Sequence, residues 1–518
     1  AVGMRYFAGS VASVVAVYAM VLWYQSRDHF PIRFDRVRRV HCYLSFLVSG
    51  PAIVALTEPK IEKQHPWQAW LYIAIAVLAW WPTFRAFGGR ESTVGRRRPV
   101  LSERQRDWLS LLAVFGVWAA YAVFFSTLAI THHHGFGTRT VDLGLYSNIF
   151  FLSSRGEPLA CTLMAGGTHA SAHFDPILVI LSPIYRLWPN AEFLLTLQSV
   201  WCGAGAVAAY LIGRDQLGSR VAGIIWAVAY ALHPALHGAN MYEFHSLTLL
   251  FSPLLFALYF LLAGKLRLYL LMLPLLLLIR EDVPLLLCFV GGYAIIAGKP
   301  GYARAGWITI VVSVAYFVIV KTWFMPSGDI FNQGPESYGY AYYYKDMIPT
   351  GWGARDLIIT LLTNPAFVAS VVTKLAKLHY LLVIFVPLLF LPAFAGRARL
   401  MLVYGLVFIF LASRTAVFSP HFQYSAVLLP IAIALAPVGL RLLRDVGPRD
   451  RSFTVAVMGC VLVASLLVSW KFGGIVENDS FRGGYSRVHR TLTEAKREQY
   501  EGFIELTRVI EADASVSV

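Results

Sequence analysis

The sequence predicts an all-α fold, a polytopic transmembrane helical bundle of about fourteen spans. Three observations carry this. Hydrophobic residues make up 57% of the chain and charged residues 14%, with mean hydropathy +0.60, whereas soluble domains carry about 25% charged residues. Apolar windows of about 20 residues, the length a helix needs to cross a bilayer, recur from end to end. The basic residues gather in short links between these windows, as orientation signals do. A β-barrel would show short alternating strands instead. The net charge of +15 would point to nucleic acid in a soluble protein; here it reads as loop charge, and no nucleic-acid partner is expected. Cys42, Cys161, Cys202, Cys288 and Cys460 are scattered and mostly inside apolar runs, so they form neither a disulfide framework nor a zinc motif.

Residues 1–100 read as three extra N-terminal spans, near 6–24, 41–57 and 67–87, with a basic cytoplasmic loop. The links 25-QSRDHFPIRFDRVRRVH-41 and 85-RAFGGRESTVGRRRPVLSERQRD-107 set the orientation, both cytoplasmic. The core, 101–330, begins with an outward span at 107–130 and a first external loop at 131–173. The run 174-FDPILVILSPIYRLWP-189 is interrupted by prolines and fits the outer surface or a re-entrant piece. Spans at 191–213, 221–237 and 246–263 follow, then two short arms at 268–279 and 283–298 and a span at 305–324. A second external loop occupies 331–378, and C-terminal spans near 379–396, 400–413, 424–442 and 453–470 fill 379–470. The tail, 471–518, is polar and external, helix-like over 489–514, and 514-ASVSV-518 reads as the first strand of a soluble domain.

The arms in 268-LYLLMLPLLLLIREDVPLLLCFVGGYAIIAG-298 are too short to cross a bilayer, which takes about 20 residues. Their turn, Arg280-Glu281-Asp282, is therefore expected slightly below the outer surface, in a water-filled recess within the protein, since charges at membrane depth cost about 2.5–3.5 kcal/mol each on insertion scales. The alternative is a plain surface turn.

Unusual polar residues concentrate on the outer side, which argues for an external active site. Asp142 opens a helix-like stretch, 139-RTVDLGLYSNIFFLSSRG-156, and reads either as a helix cap or as a general base for an acceptor hydroxyl. His169 and His173 are four apart with Asp175 beside them; a metal site is one reading, substrate hydrogen bonding the other. Glu243 and His245 lie at an outer span end, on one face only if the chain is extended. Aromatics over 338–352 suit either an interfacial belt or stacking on sugars. Lys374, Lys377 and Arg414, with His379, His421 and Tyr424 nearby, place cations at the outer boundary, where a lipid phosphate would bind them; snorkelling is the simpler reading.

The segments 141-VDLGLYSN-148, 172-AHFDPILVILSPIYRLWP-189, 234-PALHGANMYEFHS-246, 279-IRED-282 and 420-PHFQYSAVLLP-430 together resemble a prokaryotic polytopic membrane protein family of unknown function. Its recurring FDLG-, HFSP-, FDFH-, KED- and HY-type segments match here at Asp142, His173, Glu243, His245, Glu281, Asp282 and His421. The chain departs at Val141, Arg280 and Glu243, where the family has an aromatic, a lysine and an aspartate. That family looks like a member of the GT-C glycosyltransferase superfamily, with two long external loops carrying short amphipathic helices.

The resemblance implies an inverting transfer of a sugar from a polyprenyl-phosphate donor to a glycan, lipid or protein acceptor. It would occur on the outer face of the prokaryotic cytoplasmic membrane, among membrane lipids. Asp142 would take the base role. Glu243, His245, Glu281 and Asp282 would orient sugar hydroxyls or the base, and Arg280, Lys374, Lys377 and Arg414 would hold the phosphate. His173, Asp175, His379, His421 and Tyr424 would line the substrate. If the carboxylates converge on a divalent cation, Mg or Mn, the enzyme would be metal-dependent; the sequence leaves this open. Two other classes also stay open: a transporter or flippase of lipid-linked sugars, and a non-catalytic envelope-assembly protein.

Overall fold

A computed structural model describes residues 101–138, 140–164, 167–325, 343–348, 354–446 and 451–510. Among the described residues the fold is helical, with only two isolated bridges, Ala160–Thr168 and Gly483–Ser486, outside the helices. The three N-terminal spans, the aromatic segment around 331–342 and the strand expected at 514–518 lie outside the described residues.

Helix α1 (Glu103–His134) is capped by a reciprocal Ser102–Gln105 box, which satisfies two of its otherwise unpaired N–H groups. A short link leads to α2 (Thr140–Ser154), and α3 (Ile177–Tyr185) packs on α2. Helix α4 (Ala191–Leu217) starts at an Asn190 cap and stops at Gly218, whose φ of 67° is the left-handed conformation that favours glycine at a helix end. It packs against α1 and α5 (Arg220–Ala231). Small residues permit this: a Cβ on Gly205 would meet the Tyr230 hydroxyl at 2.4 Å. At one end of this group Arg220 pairs with Asp107 at 2.6 Å and with Glu103 at 2.7 Å. The opposite end carries the polar cluster described below.

Helices α6 (Pro234–Met241), α7 (Phe251–Leu262), α8 (Leu266–Leu277), α9 (Val283–Ile296) and α10 (Tyr302–Ile319) follow. A π-helical turn, Val320–Phe324, extends α10. Beyond it come α11 (Ala354–Thr363), α12 (Pro365–Val372), α13 (Leu375–Phe385), α14 (Val403–Leu411), α15 (Leu429–Val446), α16 (Arg451–Phe472) and the tail helix α17 (Glu494–Arg508). The core sits between α4, α7 and α15, where Leu254, Ala432, Leu435 and Cys202 have no exposed surface.

Three described helices are long and apolar enough to cross a membrane: α1, α4 and α10 with its π turn. Two bent pairs, α5 with α6 and α11 with α12, raise the number to five. Several expected spans are shorter than a crossing. The run 379–396 ends as helix at Phe385, because Leu389 and Phe390 take left-handed φ values of 50° and 55° and the chain continues as 3-10 turns. The run 246–263 is divided into the 3-10 turn Ser246–Leu250 and α7. Apolar composition marks such runs as membrane-like, but it does not register backbone breaks.

Candidate functional site

Segments far apart in sequence meet at the α2 end of the helices. Asp142 sits in the first turn of α2, its side chain 38% exposed. Its carboxylate is held from the side: the Tyr242 hydroxyl donates to Oδ2 at 3.1 Å, and His245 Nε2 lies 3.8 Å from the same oxygen. Tyr242 and His245 stack with ring centroids 4.7 Å apart. Burial disfavours a charge on His245 and lowers its pKa, against the pull of Asp142. Asp142 is thus tied into the interior by Tyr242, a contact that a capping role alone would not need.

The loop carrying Tyr242, Glu243 and His245 is not an extended strand. Glu243 adopts φ 57°, uncommon for a residue with a side chain, and its carboxylate accepts the Leu143 backbone N–H at 3.2 Å. Glu243 and His245 therefore diverge, Glu243 toward the start of α2 and His245 toward Tyr242. Gln198, buried in α4, fixes this loop. Its amide donates to the Asn240 carbonyl at 2.8 Å and to the Glu243 carbonyl. Its oxygen accepts the His245 N–H at 2.9 Å and the Thr248 hydroxyl at 2.6 Å.

A second group adjoins the first. His173 Nδ1 pairs with Glu281 Oε1 at 2.9 Å, and the Phe174 N–H donates to Glu281 Oε2 at 3.1 Å. His169 Nδ1 pairs with Asp175 Oδ1 at 2.8 Å, and Asp175 is fully buried. Arg280 grips Asp282 through Nε, 2.7 Å from Oδ1, and through a second nitrogen on Oδ2. Arg280, Glu281 and Asp282 are 5%, 3% and 2% exposed, so the turn is buried within the protein. Burial works against the Glu281 carboxylate, and His173 and Arg280 outweigh it, holding its pKa low. Tyr146 joins the two groups, its ring edge-on to His169 at 5.5 Å and to His245 at 5.7 Å.

The alternative metal reading of His169, His173 and Asp175 finds no support in the geometry. His169 and His173 each commit Nδ1 to a separate carboxylate, and among the described residues no three His, Cys, Asp or Glu side chains converge to hold an ion. Among the described residues, the donors around His169 and His173 therefore do not converge as a divalent-cation site.

The remaining candidates are largely committed to partners of their own. Lys374 pairs with Asp346 at 3.4 Å. Lys377 is buried, donates to the Phe410 carbonyl at 2.5 Å and lies 5.0 Å from the Phe418 ring centre. Tyr424 donates to the Tyr343 hydroxyl at 3.2 Å, and Arg414 acts electrostatically on both tyrosines. His379 sits edge-on to Phe472 at 5.4 Å. His421 packs edge-on to Phe481 of the tail at 6.1 Å, and burial together with Arg482 pushes its pKa down to about 4.

The sequence reading missed Gln198, Tyr242, Tyr146, Lys321 and the tail turn 481-FRGGYS-486. Gln198 had a signal, a lone amide within the apolar run of α4. The tail turn had none. Gly484, at φ 62°, lies so close to Tyr242 that an added Cβ would fall 1.9 Å from the ring, and its N–H donates to the His421 carbonyl at 3.1 Å.

These features define a helical membrane protein with a buried polar cluster opening at Asp142. The chain belongs to the family described as "Predicted membrane protein (DUF2079)", whose model matches residues 132–518. It has no match among curated proteins or among solved structures.

Proposed function

We propose that the protein is a GT-C-type glycosyltransferase that moves a sugar from a polyprenyl-phosphate donor to an acceptor hydroxyl on the extracytoplasmic face. The observation that supports this best is the state of Asp142. It is a half-exposed carboxylate at the rim of an otherwise buried polar cluster, oriented by Tyr242 and His245. Asp142 takes the acceptor proton as the oxygen attacks the anomeric carbon, with inversion. The bond from that carbon to the phosphate oxygen breaks, and its electron pair leaves on the phosphate. Phosphate is a good enough leaving group to need no general acid. General-base help of this kind is worth about 10²–10⁴ in rate.

The test is turnover of labelled polyprenyl-phosphate sugars by purified protein in nanodiscs. Wild type should transfer sugar, with or without EDTA, and Asp142→Asn should lose at least about a hundredfold. Binding of donors without turnover would remove the enzymatic reading.

The bent helix pairs favour a second reading, transport, because discontinuous helices commonly form transporter binding sites. Movement of a labelled lipid between leaflets of proteoliposomes, with no sugar transferred, would select it.

A further inference from the structure

The cations that the sequence assigns to phosphate are mostly engaged elsewhere. Arg280 is bound twice by Asp282, Lys374 by Asp346, and Lys377 is sealed against a carbonyl and a ring. A different set of groups lies on the flank of the cluster. The side chain of His173 is 26% exposed and held through Nδ1 by Glu281, which leaves Nε2 on the opposite edge of the ring. Lys321 stands on the π turn after α10, a local widening frequent at functional positions. Its ammonium donates to Met325 Sδ at 3.5 Å and also feels the fields of Glu281, Asp282 and Arg280. Beside them the Phe174 and Phe324 rings meet at 4.9 Å. Phe324 is 52% exposed and Trp323 78%, on a helix whose apolar window is only 28% buried.

We propose that this flank is the seat of a prenyl phosphate. Its headgroup lies against His173 Nε2 and Lys321, and its hydrocarbon chain runs over Phe174, Phe324 and Trp323. This deepens the glycosyl-transfer reading and rests on it for the identity of the lipid. The physical argument is one of matching charges and surfaces. Glu281 and Asp282 carry two negative charges, and Arg280 and Lys321 carry two positive ones. Lys321 supplies a charge that meets the phosphate, as a charge-assisted hydrogen bond, and His173 Nε2 offers a second polar contact beside it. The exposed rings offer hydrocarbon contact next to that polar point, where a lipid headgroup and chain join. The phosphate side of the substrate then lies at His173 and the acceptor side at Asp142, with the Tyr146 ring between them.

Binding can be read without turnover. Undecaprenyl phosphate, undecaprenol and inorganic phosphate would each be titrated into the detergent-solubilised full chain and followed by native mass spectrometry. Wild type should retain undecaprenyl phosphate well above the other two. His173→Gln, which keeps a donor for Glu281, and Lys321→Met should each weaken it about ten- to a hundredfold, as loss of one charge-assisted hydrogen bond does. Melting curves for each variant would establish that it is folded. Retention of the lipid phosphate by both folded variants within about twofold of wild type would overturn this placement and leave the glycosyl-transfer reading standing. Equal retention of undecaprenol, or full competition by inorganic phosphate, would overturn the lipid-phosphate occupant. Failure of wild type to retain undecaprenyl phosphate at all would overturn the glycosyl-transfer reading itself.

Discussion

Gln198→Leu is expected to be among the most damaging single changes near the site, although Gln198 touches no candidate catalytic side chain. Leucine has similar volume and suits an apolar helix. It supplies neither the donor for the Asn240 and Glu243 carbonyls nor the acceptor for the His245 N–H. The Thr248 hydroxyl keeps an alternative acceptor, the His245 carbonyl at 2.6 Å, and needs no rescue. At least two buried backbone groups, the His245 N–H and the Glu243 carbonyl, lose their partner. Each such orphan costs about 1–3 kcal/mol, giving about 2–6 kcal/mol in all. That is a large share of a typical stability of about 5–15 kcal/mol. The assay is thermal unfolding in detergent, followed by intrinsic fluorescence. Wild type, Gln198→Leu and Ser199→Ala would be compared. Ser199→Ala removes one bond to the Asn240 amide, at 3.0 Å, and should cost about 1 kcal/mol. An unchanged midpoint for Gln198→Leu would refute the claim that this amide holds the loop.

Three further outcomes follow. Gly484→Ala should destabilise the protein and displace Tyr242, because it combines a left-handed φ with a Cβ that would fall inside contact distance of the Tyr242 ring, while Gly502→Ala in α17, with nothing within 4 Å, should be neutral or gain about 0.5–1 kcal/mol; melting curves of the two compare them directly. Burial opposes a charge on His169, but Asp175 outweighs it and raises the pKa above the ordinary 6.5. That contribution is present below 6.5 and lost as pH rises through the raised value, so the midpoint of wild type should fall more steeply on the alkaline side than that of His169→Gln. Tyr500→Phe removes a hydroxyl that donates to Glu192 at 3.0 Å and should loosen α17, read as faster tryptic cleavage at Arg497 and Arg508 with the helices of the core intact.

Part of the bundle was legible because the physics behind it is local. The expected spans 107–130 and 191–213 lie within α1 and α4. The shortness of the two arms around Arg280-Glu281-Asp282 appears as helices of 12 and 14 residues. What escaped was pairing over long range and breaks in the backbone. Nothing in the order of residues shows that Lys374 lies against Asp346, 28 positions away, or that His173 takes Glu281, 108 positions away. The left-handed turn at Leu389 and Phe390 is equally silent, since both residues look like ordinary membrane apolars. The metal reading of His169 and His173 failed for a related reason. Spacing in sequence specifies which side chains are near, but the carboxylates that capture each Nδ1 come with the tertiary fold.

The turn 481-FRGGYS-486 has a bearing on how the protein is made. It follows the other segments of the cluster in sequence and is separated from the core by the whole of α16. While the ribosome is still producing α16, the acidic and histidine residues of the cluster have already been synthesised, but the turn that confines the Tyr242 ring has not. Completion of the site therefore waits for the tail to reach the same side of the membrane as Asp142. A chain inserted with its tail on the wrong side would hold the same set of side chains in the helices and remain unfinished, so the orientation of the tail checks that of the bundle.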